Sequence, residues 1–261
     1  MQDRGLAAYI AELLGTLFLV FVVGTVVTLF VASSPEAQTG SDFAVVGLVH
    51  AFMLFALIMA FGAVSGGHFN PAITLAAVVQ RKIDPVDAVV YVLAQLSGAV
   101  LGALLVKGLL LDEGRALGYG NAEVSDLLGG NFQGFIVEGL GTFLLVLVVI
   151  AVAMNPRARQ EWAPYAIGAT LGFAVMIFGP LTGGSFNPAR WFGPALIGDG
   201  IDGSDLLVYV LGPIVGALLA FAVYRFVIAG PQFAEGAEPP TSDARAVGQA
   251  VKDAEVRARN Q

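Results

Sequence analysis

Residues 67–76 read GHFNPAITLA, and they interrupt a chain otherwise built to cross a membrane. The residues before them, AVVGLVHAFMLFALIMAFGAV (44–64), are almost wholly apolar. Two glycines, His68, Asn70 and Pro71 follow, and then the chain turns apolar again. Lipid offers no partner for an exposed peptide group. Unwound backbone at membrane depth therefore survives only where it is buried in protein or faces water.

The interruption occurs twice. SGGHFNPA (65–72) matches TGGSFNPA (182–189), which places Asn70 117 residues before Asn187. Upstream, AELLGTLFLV (11–20) matches VEGLGTFLLV (137–146), pairing Glu12 with Glu138, Gly15 with Gly141 and Thr16 with Thr142 at an offset of 126. The chain is thus an internal repeat of two halves, about 5–112 and 130–230.

The 261 residues are 57% hydrophobic and 13% charged, where a soluble domain is nearer about a quarter charged. Six runs reach the roughly 20 residues needed to cross a bilayer core. They are expected at 7–31, 43–63, 86–110, 132–154, 163–181 and 206–229. Two pieces, NPAITLAAVV after 69 and NPARWFGPALI after 186, are too short to span and fit re-entrant half-helices. Three spans per half is an odd number, so the second half enters from the opposite side. An inverted repeat with broken helices builds a pathway where its halves meet. The fold class expected is an all-α membrane protein of six transmembrane helices and two re-entrant half-helices. The channel domain is expected over 1–230, followed by a soluble, disordered cytoplasmic tail at 231–261.

Charge sets orientation and excludes partners. Arg81 and Lys82 lie in the second non-spanning segment, Arg157 and Arg159 in the fourth connection, and Arg4 and Arg225 flank the ends. By the positive-inside bias both termini are cytoplasmic, with Lys107 and Arg115 on the other side as exceptions. The apolar run after Arg4 reads as a retained first span rather than a cleaved signal. A net charge of −7 argues against nucleic acid. The chain has no cysteine, so it has no disulfide, thiolate metal site or cysteine nucleophile. GDGIDGSD (198–205) lacks the closing glutamate of a calcium loop and reads as a turn that caps span six.

Each NPA segment, Asn70–Pro71–Ala72 and Asn187–Pro188–Ala189, reads as a helix start. Proline sits in the first turn, where its missing N–H costs nothing. Asparagine caps that turn and aims its amide NH₂ at the lumen. The preceding glycines let the backbone expose carbonyls. Two half-helices meeting at the midplane would also oppose cations with their positive dipole ends. One NPA alone is an ordinary turn and helix start, but two in an inverted repeat of six spans describe a pore.

The chain resembles the aquaporin, or major intrinsic protein, family over about residues 5–230. The resemblance rests on SGGHFNPAIT, TGGSFNPARWFGPA and the two span-head glutamates. It implies an aquaporin-like channel in the lipid bilayer and a homotetramer with one pore per subunit. It also implies a second constriction, carried over by distance from the motifs onto His50, Val175, Gly184 and Arg190. Arg190 would be a fixed cation that repels cations and donates to neutral permeants. Gly184 would leave room. Strict animal-type water channels usually have phenylalanine at the span-two position and histidine at the span-five position. Glycerol facilitators tend to have tryptophan, glycine and an aspartate after the arginine, where this chain has Trp191. The set found here is similar to that of plant vacuolar-membrane intrinsic proteins.

The function expected is a passive channel for water and small neutral solutes such as ammonia, hydrogen peroxide and urea. It needs no catalytic residue, cofactor or metal, and its setting is a prokaryotic cytoplasmic membrane. An aquaglyceroporin-type glycerol facilitator is the alternative. Glu12 and Glu138 could instead couple protons in a secondary transporter. The resemblance favours structural support, each carboxylate bracing a loop, with His68 as a further brace. A mainly structural role in the membrane would leave both NPA motifs and Arg190 without purpose.

Overall fold

The structure, a computed structural model, describes residues 5–31, 41–198 and 200–229. The expected tail lies outside the described residues. Among the described residues eight helices longer than a single turn follow in order: α1 (Gly5–Phe30), α2 (Ser41–Ser65), α3 (Pro71–Val79), α4 (Pro85–Leu109), α5 (Asn131–Met154), α6 (Ala163–Thr182), α7 (Pro188–Ile197) and α8 (Gly203–Ile228). Six are long and apolar enough to cross a membrane, and each lies within three residues of the span expected from sequence. The two short ones, nine and ten residues, are the expected half-helices.

Among the described residues three wide π turns, at Ile150–Met154, Leu207–Leu211 and Tyr224–Ile228, have no counterpart in the expected spans. They sit in or at the ends of α5 and α8.

Small residues set the helix contacts. α4 lies on α1 so closely that a Cβ at Gly98 or Gly102 would strike the carbonyls of Leu13 or Leu17. Gly168 and Gly172 of α6 meet Ala51 of α2, and Gly212 and Gly216 of α8 meet α5 around Gly139. Such close approach stands in for the hydrophobic drive that lipid cannot supply. The large apolar side chains Phe52, Met59, Phe173 and Ile177 face outward instead. The protein is an integral membrane protein.

The half-helices are exchanged between the halves. α7 packs mainly on α4 of the first half, and α3 touches α8 of the second. α2 and α6 close the remaining interface. Every seam between the halves therefore runs along a segment that carries an NPA motif or a span beside one.

Polar connections behave as their sequences ask. Asp84 caps α4 by accepting from Val86 N at 2.9 Å. Asp202 of the GDGIDGSD loop caps α8 by accepting from Ser204 N at 2.8 Å, which holds its carboxyl below the usual range. The two basic residues that stood against the orientation bias are both engaged. Arg115 pairs with Asp112 at 3.8 Å in full exposure, and Lys107 donates to Ile197 O at 3.2 Å.

Candidate functional site

The loops that lead into α3 and α7 are built alike. Gly66, Gly67 and Phe69 have φ of +94°, +67° and +48°, and Gly183, Gly184 and Phe186 have +74°, +61° and +50°. A bulky residue in the left-handed region is strained by about 1–3 kcal/mol and persists only when its surroundings fix it. Here the surroundings are two glycines. The buried Phe69 ring lies against Gly15, and the Phe186 ring against Gly141. No Cβ fits at either glycine. The glycines that the sequence repeats are thus seats for these rings.

The glutamates hold the same loops. Glu12 accepts four hydrogen bonds: from Ser65 Oγ (2.7 Å) and His68 N (2.9 Å) on Oε1, and from Phe69 N and Gln95 Nε2 (both 2.7 Å) on Oε2. Glu138 accepts three, from Thr182 Oγ1 (2.7 Å) and Ser185 N (3.0 Å) on Oε1 and Phe186 N (2.6 Å) on Oε2. Both side chains are completely buried. Tyr91 and Tyr209 complete the pattern by donating to the carbonyls of Ser65 (2.7 Å) and Thr182 (3.0 Å).

The repeat breaks at Gln95 and Thr74. Gln95 also donates to Thr74 Oγ1 (3.0 Å), which contacts His68 Nδ1 (3.1 Å) and donates to Asn70 O (3.1 Å). In the second half Trp191 occupies the position of Thr74 and stacks on Tyr209, with centroids 5.5 Å apart. Trp191 is therefore buried packing behind Arg190, where a glycerol facilitator's aspartate would stand.

At the centre each asparagine caps its half-helix. Asn70 Oδ1 accepts from Ala72 N (2.9 Å), and Asn187 Oδ1 accepts from Ala189 N (3.0 Å) and Arg190 N (3.3 Å). The amide nitrogens, expected only to face the lumen, also cross between the loops. Asn70 Nδ2 donates to Phe186 O (2.9 Å) and Asn187 Nδ2 to Phe69 O (2.8 Å). Each NH₂ spends one hydrogen on this bridge and retains a second.

Both asparagines line a cavity of about 20 Å³, close to the least volume that holds one water, about 10–15 Å³. Its polar wall is His50, His68, Asn70, Ser185, Asn187 and Arg190. Its apolar wall is Leu19 and Val23 of α1, Leu54 of α2, Phe69 of the loop before α3, Ile73 of α3, Leu145 of α5 and Leu171 of α6. Leu19 and Leu145 stand at the 126-residue offset, and Leu54 and Leu171 at the 117-residue offset. The wall therefore repeats with the fold, although nothing in an apolar run marks those four leucines as pore-facing.

His50 and Arg190 are both 2% exposed. His50 Nδ1 lies 2.8 Å from Val46 O. A carbonyl only accepts, so Nδ1 carries the proton and Nε2 of the neutral ring is an acceptor. Arg190 Nη1 donates to Gly120 O at 2.9 Å. His50 Nε2 and Arg190 Nε and Nη2 have no hydrogen-bond partner among the described residues. They form a small set of buried donors and an acceptor around the cavity.

Val175 and Gly184 lie together at α6 and do not line this cavity. A Cβ at Gly184 would be 3.3 Å from Gly179 Cα and 3.4 Å from Val175 Cα. The room expected from this glycine is therefore taken up by α6, and it is the left-handed φ and the close approach that call for glycine. Gly120 was missed altogether, because its contribution is a backbone carbonyl and a GYGN stretch in a loop does not reveal it.

Beside the cavity lies a vestibule of about 270 Å³, which shares His68, Leu54 and Ile73 with it. Lys82, Pro156 and Gln160 also line it. Those residues belong to the segments that the charge bias assigns to the cytoplasm.

A family model described as "Major intrinsic protein" matches residues 2–224. The chain belongs to this family. Members of the major intrinsic protein family are passive channels rather than enzymes. The chain is 41% identical over 219 residues to Glycerol uptake facilitator protein-like 6 of Lactiplantibacillus plantarum, covering 81% of this chain and 94% of that one. It is 35% identical over 237 residues to Probable aquaporin AqpM of Archaeoglobus fulgidus (84% and 96% covered). It is 38% identical over 230 residues to Probable aquaporin TIP3-2 of Arabidopsis thaliana (85% and 83% covered). The fold is that of the X-ray structure of the aquaglyceroporin from Plasmodium falciparum, with a TM-score of 0.72 at 24% identity over 85% of this chain and 96% of that one.

Proposed function

We infer that this member of the major intrinsic protein family conducts water and small neutral solutes passively and excludes ions and protons. The observation that carries the reading is the pairing of Asn70 with Asn187 on one cavity with His50 and Arg190, in a volume of about 20 Å³. A water that accepts from the two asparagine amides must donate outward to carbonyls on either side. A proton wire through it is then broken. The N-termini of α3 and α7 place positive dipole ends at the same point, and Arg190 adds a fixed charge that repels cations. His50 Nε2 and the Arg190 N–H groups exchange with a permeant's own hydrogen bonds.

The kinship with a glycerol uptake facilitator favours glycerol as a permeant. The narrow cavity, and Trp191 buried on Tyr209, favour water over glycerol. Proton coupling through Glu12 and Glu138 fits poorly with carboxylates whose oxygens accept four and three hydrogen bonds from the loops. Their geometry supports the brace. The family points to a homotetramer, and the charge bias to cytoplasmic termini in a prokaryotic cytoplasmic membrane.

Stopped-flow light scattering of proteoliposomes under sucrose and then glycerol gradients tests this reading. Fast water shrinkage with glycerol entry near that of empty liposomes is expected. Glycerol entry as fast as water flow would transfer the assignment to a glycerol facilitator.

A further inference from the structure

Among the described residues the guanidinium of Arg190 is held by one acceptor, Gly120 O, at 2.9 Å. Gly120 ends a turn in which three successive residues, Gly118, Tyr119 and Gly120, have φ of +50°, +58° and +92°. A run of left-handed residues that includes a tyrosine holds its shape only if its neighbours impose it. Three neighbours do so. Gly24 of α1 lies under the turn, so that a Cβ there would be 2.9 Å from Tyr119 O. Gly198, at the C-terminal end of α7, lies on Gly118, where a Cβ would be 2.8 Å from its Cα. The third neighbour is a charge. Lys107 Nζ sits 5.0 Å from the centroid of the buried Tyr119 ring.

The same ammonium donates to Ile197 O at 3.2 Å. Ile197 is the last residue of α7, and its carbonyl is one of those that the helix itself leaves unpaired. A cation there also complements the negative end of the helix. Lys107 therefore grips the half-helix at its C-terminal end. Through Tyr119 it also grips the turn whose carbonyl holds the guanidinium at the other end.

We propose that Lys107 is a positioning residue for the selectivity of this channel, fixing Arg190 through Tyr119 and the Gly120 carbonyl. The inference rests on the reading of Arg190 as a selectivity residue. Without the ammonium the turn relaxes, Gly120 O withdraws, and the guanidinium loses its only protein anchor among the described residues. The passage then admits larger solutes, with water flow little changed.

The test uses the full chain in proteoliposomes and reads the ratio of glycerol to water permeability, with thermal unfolding alongside. Lys107→Met should raise the ratio about threefold or more, while Lys107→Arg stays near the unsubstituted protein. Tyr119→Leu should raise it equally and Tyr119→Phe should not, since Phe keeps the ring under the ammonium and loses only a long hydroxyl contact to Leu111 O (3.5 Å). Because the residues act in series, Lys107→Met with Tyr119→Leu should add little to either alone. A folded Lys107→Met protein with an unchanged ratio overturns the proposal and leaves Lys107 a helix cap. If Lys107→Met does not fold, Tyr119→Leu decides in the same way. Arg190→Ala separates the two claims. A raised ratio there with none for Lys107→Met sinks only this inference, whereas no rise in either sinks the reading of Arg190 as well.

Discussion

Asn70 and Asn187 each donate from Nδ2 to the carbonyl of the residue that precedes the other, at 2.9 Å to Phe186 O and 2.8 Å to Phe69 O. Each asparagine therefore caps its own half-helix and ties down the opposite loop. The centre of the channel is one reciprocal unit, not two motifs that happen to meet.

Asn70→Ala should accordingly lose more than a cap. A cap alone is worth about 1 kcal/mol and a buried amide–carbonyl bond about as much again. Thermal unfolding in detergent should fall for either single substitution. The double substitution should fall by less than the sum, because each removes support from the same pair of loops. Strict additivity would show that the two loops stand independently.

The carboxylates should differ in the same assay. Glu12→Gln turns an NH₂ toward donors and breaks a four-bond site, and Glu138→Gln a three-bond one. Each should cost about 2–3 kcal/mol or more, with Glu12 the costlier because Gln95 Nε2 also loses one of its two acceptors and keeps only Thr74 Oγ1. Equal losses would mean that the Gln95 branch contributes nothing.

Much of this site was legible in the sequence because polar residues stand out in an apolar chain. Asn70, Asn187, Arg190, His50 and both glutamates are polar groups where lipid forbids them unless they have partners. The six spans and two half-helices follow from run length and from Pro71 and Pro188. Backbone and apolar contributions were not legible. Gly120 acts through a carbonyl, Leu19 and Leu145 are two apolar residues among many, and the π turns have no residue signature. Gly184 is the converse case. Its small size suggested open space, but the absent side chain faces α6.

Gly15→Ala and Gly141→Ala should each displace a buried phenylalanine ring. Overpacking of this kind costs about 1–3 kcal/mol. Both variants should lose water conduction as well as stability, since Phe69 and Phe186 adjoin the asparagines. A variant that conducts normally would show that the rings are not needed to shape the loops.

Mercuric chloride, which blocks channels through cysteine thiols, should leave water flow unchanged at micromolar concentration, because the chain has no cysteine. Rapid inhibition reversed by a thiol reagent would contradict this.

His50→Ala should widen the passage and raise urea and glycerol entry relative to water by several-fold, and Arg190→Ala should do so more strongly. Isotope uptake into proteoliposomes reads both. Solute selectivity unchanged in the two variants would remove these residues from the filter.

The most direct measurement follows water and protons together. Proteoliposomes loaded with a pH-sensitive dye are shrunk by sucrose in a stopped-flow instrument, with and without an imposed proton gradient. Shrinkage should be at least about tenfold faster than in empty liposomes, indifferent to the gradient, and unaccompanied by any pH change. Flow no faster than in empty liposomes, or proton entry that rises with water flow, would contradict a passive channel that breaks the proton wire at Asn70 and Asn187.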